Sequence, residues 1–199
     1  VIRNIIFDIG EVLLSFKPRD YLQEKYGPGK KADRLEVIIF QGKFWEQLDR
    51  GIITSEEAKN QLKKYFPQYN QEIEEVLKEW PKILKPLPAS DLIKPIKQKG
   101  FLLFYLSNFH SRAWEIVREK FDFFSYFQGG VISAEEGFLK PEEEIYLKLM
   151  ETFSLKAEES FFIDDRRENV DAAEKIGFLT HRYLRIKGLK KELEKNGVL

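Results

Sequence analysis

The chain contains no cysteine, which excludes disulfides and thiolate metal sites. Histidine is nearly absent too: His110 and His181 are too few for a histidine-rich zinc site. Apolar runs such as Phe101 to Leu106 fall far short of a membrane span, and no signal-peptide pattern precedes the first strand. Neither sign of charge is in excess, since 33 Lys and Arg balance 33 Asp and Glu. A neutral chain has no global attraction for nucleic acid or acidic membranes, so any anion site must be built locally. Repeats and low-complexity tracts are missing as well. These absences lead us to expect a cytoplasmic protein with no nucleic-acid or membrane partner; a monomer or weak homodimer is the expected state. Abundant Lys and Glu with a single Met fit a thermophilic source.

What is present divides into two textures. Short apolar or β-prone runs at 1–8, 101–106, 161–164 and 178–184 read as buried strands. Helical patterns lie between the later ones, near 110–120, 142–153 and 167–176. Strands alternating with helices predict an α/β fold, a doubly wound parallel sheet with helices on both faces. Residues 16–84 offer no convincing strand. Ile38, Ile39, Trp45 and Leu48 form one helical apolar face, and Ile73, Val76, Leu77 and Trp80 form another. Arg50-Gly51 separates them, and Thr54 with Glu57 has the spacing of a capping box. Lys85-Pro86-Leu87-Pro88 makes a stiff exit, and Ser90 is a candidate cap for the helix running to Gly100. The expected organisation is a Rossmann-like core over 1–15 and 85–199, interrupted at 16–84 by a helical cap placed to act as a lid.

Four polar elements carry the chemistry. Asp8 ends the apolar run Ile5-Ile6-Phe7, at the strand end where open α/β sheets place their sites. Its carboxylate suits a nucleophile, although strand-end aspartates also cap turns. Ser107-Asn108 ends the second run and offers a hydroxyl, an amide and free N–H groups to an anion, or a plain helix cap. Lys140-Pro141 precedes a run of glutamates. Pro fits a first helical position, and the lysine would neutralise phosphate oxygens or simply stay solvated. Asp164-Asp165 ends the run Phe161-Phe162-Ile163. Adjacent acids there repel unless a cation neutralises them, and Mg²⁺ prefers such oxygen ligands; helix capping is the competing use, with Arg166 and Arg167 as balancing charges. His110 reads as a helix-start residue rather than a catalyst. Phe44 and Trp45 read as cap core, and they, Lys43 and Arg50 are the candidates to set substrate choice if they face the site.

In this order, Phe7-Asp8-Ile9-Gly10, Leu106-Ser107-Asn108, Lys140-Pro141 and Ile163-Asp164-Asp165 resemble the haloacid dehalogenase superfamily of phosphohydrolases over nearly the whole chain. Asp164 to Ala173 also looks like its last motif extended into a helix. A cap inserted after the first strand resembles the helical-cap subclass (subfamily IA). The resemblance implies a Mg²⁺-dependent phosphatase for a small phosphomonoester, possibly a sugar phosphate. Asp8 would form an aspartyl phosphate, Ser107, Asn108 and Lys140 would hold phosphate oxygens, and Lys140 would also neutralise Asp8. Asp8, the Gly10 carbonyl and Asp165 would bind Mg²⁺, with Asp164 binding directly or through water and Asn169 supporting. One departure stands out. Phosphatases of this superfamily usually carry a second aspartate two residues after the nucleophile, as acid and base; here that position is Gly10. Glycine there resembles the branch of bacterial α-glucose-1-phosphate phosphatases. Glu11 is a candidate substitute. A 2-haloacid dehalogenase and a non-catalytic or weakly active phosphometabolite-binding protein are the alternatives; a phosphoacceptor receiver domain has its acidic pair and acceptor in the reverse order.

Overall fold

The computed structural model describes all 199 residues. Five strands form one sheet: β1 (Asn4–Phe7), β2 (Leu102–Ser107), β3 (Gly129–Ile132), β4 (Ser160–Asp164) and β5 (Leu179–Arg182). Their spatial order is β3-β2-β1-β4-β5, and every pairing is parallel. β1 and β4 are buried along their whole length. Helices cover both faces, so the interiors of these strands do not alternate apolar with polar and read as continuous apolar runs, with Asn4, Ser160 and Asp164 at their ends. This is the Rossmann-like α/β architecture that the alternation predicts. No helix is long and apolar enough to cross a membrane.

The sheet differs from expectation at β3. Gly129-Gly130-Val131-Ile132 escapes a propensity reading because half of it is glycine, a poor strand former. The glycines are required by the neighbours. A Cβ on Gly130 would sit 2.2 Å from the Tyr105 carbonyl oxygen, and one on Gly129 would sit 2.7 Å from the Phe153 ring. Two further expectations change. The helix after Lys140-Pro141 starts at Glu143 with Glu142 as its cap, so Pro141 lies outside it, following a cis peptide bond. Ser90 donates its hydroxyl to the Leu87 carbonyl at 2.8 Å and begins a short 3₁₀ turn rather than capping.

From Pro18 to Ile83 the chain is helical, with a π-helical turn over Glu36–Phe40 and a 3₁₀ turn over Pro67–Tyr69. Thr54 and Glu57 form the capping box that opens Ser55–Tyr65. The two ends of this helical stretch run side by side. Ser15 N–H donates to the Lys85 carbonyl at 2.9 Å, and Leu87 N–H to the Leu13 carbonyl at 2.8 Å. The stretch therefore leaves and rejoins the sheet at one place, just beyond the end of β1.

Candidate active site

β1 lies between β2 and β4, with Phe7 in register with both Tyr105 and Ile163. The residues one step beyond therefore gather at the carboxyl edge where strand order changes direction, the place where open α/β sheets bind ligands. Asp8, Ser107, Lys140 and Asp164 meet there, all buried. Ser107 donates its hydroxyl to Asp8 Oδ1 at 2.8 Å. The Ile9 N–H donates to the same oxygen at 2.7 Å, and Lys140 Nζ lies 2.9 Å from it. Three donors thus fix Oδ1 and leave Asp8 Oδ2 without a protein donor. Lys140 Nζ also reaches Asp164 Oδ2 at 2.6 Å. Asn169 Nδ2 donates to both Asp164 oxygens at 3.0 Å, and the Arg166 N–H to Oδ1 at 2.9 Å. Asp164 thus fixes the turn before the helix Arg167–Ile176, whose cap position is Arg166, while also facing the lysine.

Burial dominates the electrostatics. Desolvation, together with the Asp164 charge, raises Asp8 to about 7 against the opposing pull of Lys140. Asp165 is also raised, first by burial and then by Asp164. Desolvation would lower Lys140, but Asp164 and Asp8 outweigh it, and its net shift is upward. Three acids share one ammonium, so the cluster holds an excess of negative charge.

The same cluster fits a hard divalent cation. Carboxylate oxygens of Asp8, Asp164 and Asp165 lie within 4.8 Å of one another. Asp165 is paired with no basic side chain; only its backbone carbonyl is bonded, accepting from Arg182 Nε at 3.1 Å. The Gly10 carbonyl accepts none of the turn's backbone hydrogen bonds. Asn169 Oδ1 is buried without a partner. An all-oxygen donor set with uncompensated charge is what Mg²⁺ or Ca²⁺ takes, and it contains no ligand for a softer metal.

Several candidates are placed differently from their expected roles. Asn108 spends its amide on the neighbouring loop: Nδ2 donates to the Lys140 carbonyl at 3.0 Å, and Oδ1 accepts the Lys140 N–H at 2.8 Å. Its side chain sets the lysine's position and keeps one N–H for an anion. Glu11 adopts a left-handed conformation (φ 53°) and accepts the Phe16 N–H, so its carboxylate closes the turn. Arg166 pairs with Glu168, and Arg167 with Asp171, not with the aspartate pair. Phe44 is core, and Lys43 lies over the Phe44 and Tyr65 rings. Trp45 borders a cavity of about 70 Å³ that Gly10 and Asn108 also line.

Arg50 binds Glu142 in bidentate fashion, at 2.9 and 2.7 Å, and Glu142 also accepts the Leu139 N–H at 3.0 Å. The helical stretch is thereby clasped to the loop that presents Lys140. Fork-to-fork geometry strengthens such a pair, but both side chains are partly exposed and solvent screening discounts it. In thermal melts, Arg50→Ala is expected to cost about 1 kcal/mol, lowering the Tm by about 2–4 °C. A double-mutant cycle with Glu142→Ala should recover most of that as coupling; additive losses would dismiss the clasp.

The chain is similar to several known proteins. The chain is 29% identical over 175 residues to the sesquiterpene phosphatase astK of Aspergillus oryzae, covering 87% of this chain and 86% of that protein. Its fold is similar to the HAD family enzyme bt-2542 of Bacteroides thetaiotaomicron, solved as a mutant in complex with magnesium and inorganic phosphate. The TM-score is 0.73 and the identity 22%, over 92% of this chain and 95% of that one. It is also similar to L-2-haloacid dehalogenase from Xanthobacter autotrophicus, with TM-score 0.68 and 16% identity over 100% of this chain and 85% of that one. Residues 2–177, which run from the start of β1 through the helix after Asp164-Asp165, match the haloacid dehalogenase-like hydrolase family, and the chain belongs to it.

Proposed function

We propose that this hydrolase is a Mg²⁺-dependent phosphatase that cleaves a small phosphomonoester through an aspartyl phosphate on Asp8. The observation that carries the reading is the convergence of Asp8, Ser107, Lys140, Asp164 and Asp165 on one strand edge. The helical stretch 16–84 acts as the cap. Asp8, Asp165 and the Gly10 carbonyl would hold Mg²⁺, with Asp164 binding directly or through water. Bound there, the ion would neutralise the carboxylates and the phosphoryl oxygens.

The chain's own residues do the rest. Ser107, Lys140 and Ile9 N–H hold Asp8 Oδ1, so the carboxylate keeps one orientation while Oδ2 attacks phosphorus. Lys140, fixed through Asn108, balances charge on Asp8 and the phosphoryl group. The spare Asn108 N–H orients a phosphoryl oxygen, while the single Ser107 proton stays committed to Asp8. The aspartate pair is the reason to favour this over dehalogenation, because uncompensated acids repel a substrate carboxylate.

The cavity beside Gly10 supports an apolar alcohol portion rather than a sugar. Phe16, Trp45, Trp80, Leu84 and Phe109 line it, and astK, by its name, acts on a sesquiterpene. Each buried methylene is worth about 0.8 kcal/mol, so two or three favour an apolar ester about tenfold or more over a hexose phosphate. Phosphate release should be measured over a panel of prenyl, phenethyl and hexose phosphates, with Mg²⁺ and with chelator. The expected result is Mg²⁺-dependent release, with the highest kcat/KM on apolar esters. Hexose phosphates outrunning them would overturn the specificity. No release from any ester, or chloride release from 2-chloropropionate, would overturn the phosphatase reading.

A further inference from the structure

The mechanism lacks a group to protonate the departing alkoxide. Gly10 has no side chain, and the Glu11 carboxylate is bound to the Phe16 N–H. The cavity walled by Gly10 holds only two other polar residues, Asn108 and Asp49. Asn108 cannot give up a proton at an amide, and most of its hydrogen-bonding capacity serves Lys140. Asp49 is the remaining candidate.

Its surroundings are built rather than incidental. Asp49 is the last residue of the helix Lys43–Asp49. Ser133, fully buried, donates its hydroxyl to the Asp49 carbonyl and accepts the Phe109 N–H at 3.0 Å. The backbone of residue 49 is thus tied, through one side chain, to the loop that follows Ser107-Asn108. On its other side, Arg50 is clasped by Glu142. His110 Nε2 lies 3.1 Å from Asp49 Oδ1. That nitrogen is buried and makes no hydrogen bond, and Asp49 is the acid beside it. The imidazole is packed against Trp45 and Trp80, with ring centroids 4.2 and 5.2 Å away. A partly buried carboxylate and a buried imidazole are thus paired at the rim of the apolar cavity beside Gly10.

We propose that Asp49 is the general acid and base of this enzyme, positioned by His110, and that it takes over the work that Gly10 cannot do. This rests on the phosphatase reading above. In the first step, Asp8 Oδ2 forms a bond to phosphorus and the bond from phosphorus to the alcohol oxygen breaks. The proton carried by the Asp49–His110 pair passes from Asp49 to that oxygen, and the alcohol leaves neutral. In the second step, water gives a proton to the Asp49 carboxylate while its oxygen attacks phosphorus. The bond from phosphorus to Asp8 breaks, inorganic phosphate leaves, and the pair has its proton back. The sum is one ester and one water giving one alcohol and one phosphate.

Leaving-group dependence tests this. With Mg²⁺, wild type and Asp49→Asn are assayed on 4-nitrophenyl phosphate, whose phenolate leaves without a proton, and on phenethyl phosphate, whose alkoxide does not. Asp49→Asn should lower kcat on the alkyl ester about 10²-fold or more and on the aryl ester by less than about tenfold, so the ratio of the two rates shifts. His110→Gln should shift the ratio in the same direction by less. A structural lesion would lower both rates together, and equal losses, or none, overturn the proposal. A second variant is independent of how Asp49→Asn folds. A Cβ at Gly10 meets no atom within 4 Å, so a side chain can start there without a backbone clash. If Asp49 already supplies the proton, Gly10→Asp adds less than about tenfold on phenethyl phosphate; a gain of about 10²-fold would mean that no acid was in place, and would overturn it. Wild type inactive on both esters would instead refute the phosphatase reading.

Discussion

Asp8→Asn is expected to abolish phosphate release, by on the order of 10⁴-fold or more, because an amide cannot form the covalent intermediate. The substitution is close in shape. Asparagine can keep an acceptor oxygen for the Ile9 N–H and the Ser107 hydroxyl, which bond Asp8 Oδ1 at 2.7 and 2.8 Å. Fold and stability should therefore survive. Burial and the Asp164 charge already raise Asp8 to about 7, so its ionised form is held at a cost that the neutral amide avoids. In chelator, the variant's Tm at pH 8 should equal or exceed that of wild type. Two measurements check this: turnover of the preferred ester with Mg²⁺, and acid-stable labelling of the Asp8 peptide by ³²P-substrate. Turnover within tenfold of wild type would remove Asp8 from the nucleophile's role.

How far the sequence discloses this site follows from what kind of information each part needs. β1 and β4 are legible because strands buried on both faces are short apolar runs, and an acid at the end of such a run has few reasons to be there. Thr54 and Glu57 are legible because a capping box is local, and both of its hydrogen bonds form. β3 is hidden because its glycines answer to Tyr105 and Phe153, which lie far away in the chain. His110 does immediately precede the helix Ser111–Lys120, as expected, but its burial against two tryptophans is set by helices of the 16–84 stretch. Trp45 belongs to an aromatic cluster and also borders the cavity, so the choice between core and site was a false one for that residue. Asp49 looks like any acid at a helix end; only the Ser133 bridge and the Arg50 clasp give it a place.

Lys140→Met should be the most destabilising change at the site, and its effect should depend on pH. The ammonium lies 2.9 Å from Asp8 and 2.6 Å from Asp164, with all three side chains buried. Removing one partner of a buried ion pair costs about 3–5 kcal/mol, because the remaining charges are left uncompensated. At about 2–4 °C per kcal/mol for a chain of this size, the Tm falls by roughly 6–20 °C. The sign with pH follows from Asp8, whose folded value of about 7 lies above its ordinary 3.8. The folded protein binds that proton more tightly than the unfolded chain, so metal-free stability falls as pH rises from about 4 to about 7. Lys140 is the main force opposing that shift, so without it the folded value climbs and the loss extends to higher pH. The Tm deficit of the variant should therefore be large at pH 8 and small at pH 5 in chelator. Mg²⁺ should restore part of it by neutralising the same acids, without restoring turnover, since no bound ion reproduces the contact proposed between the lysine and the phosphoryl group. Thermal melts at the two pH values, with chelator and with Mg²⁺, decide the matter: an equal deficit under all four conditions would mean that Lys140 acts through packing alone.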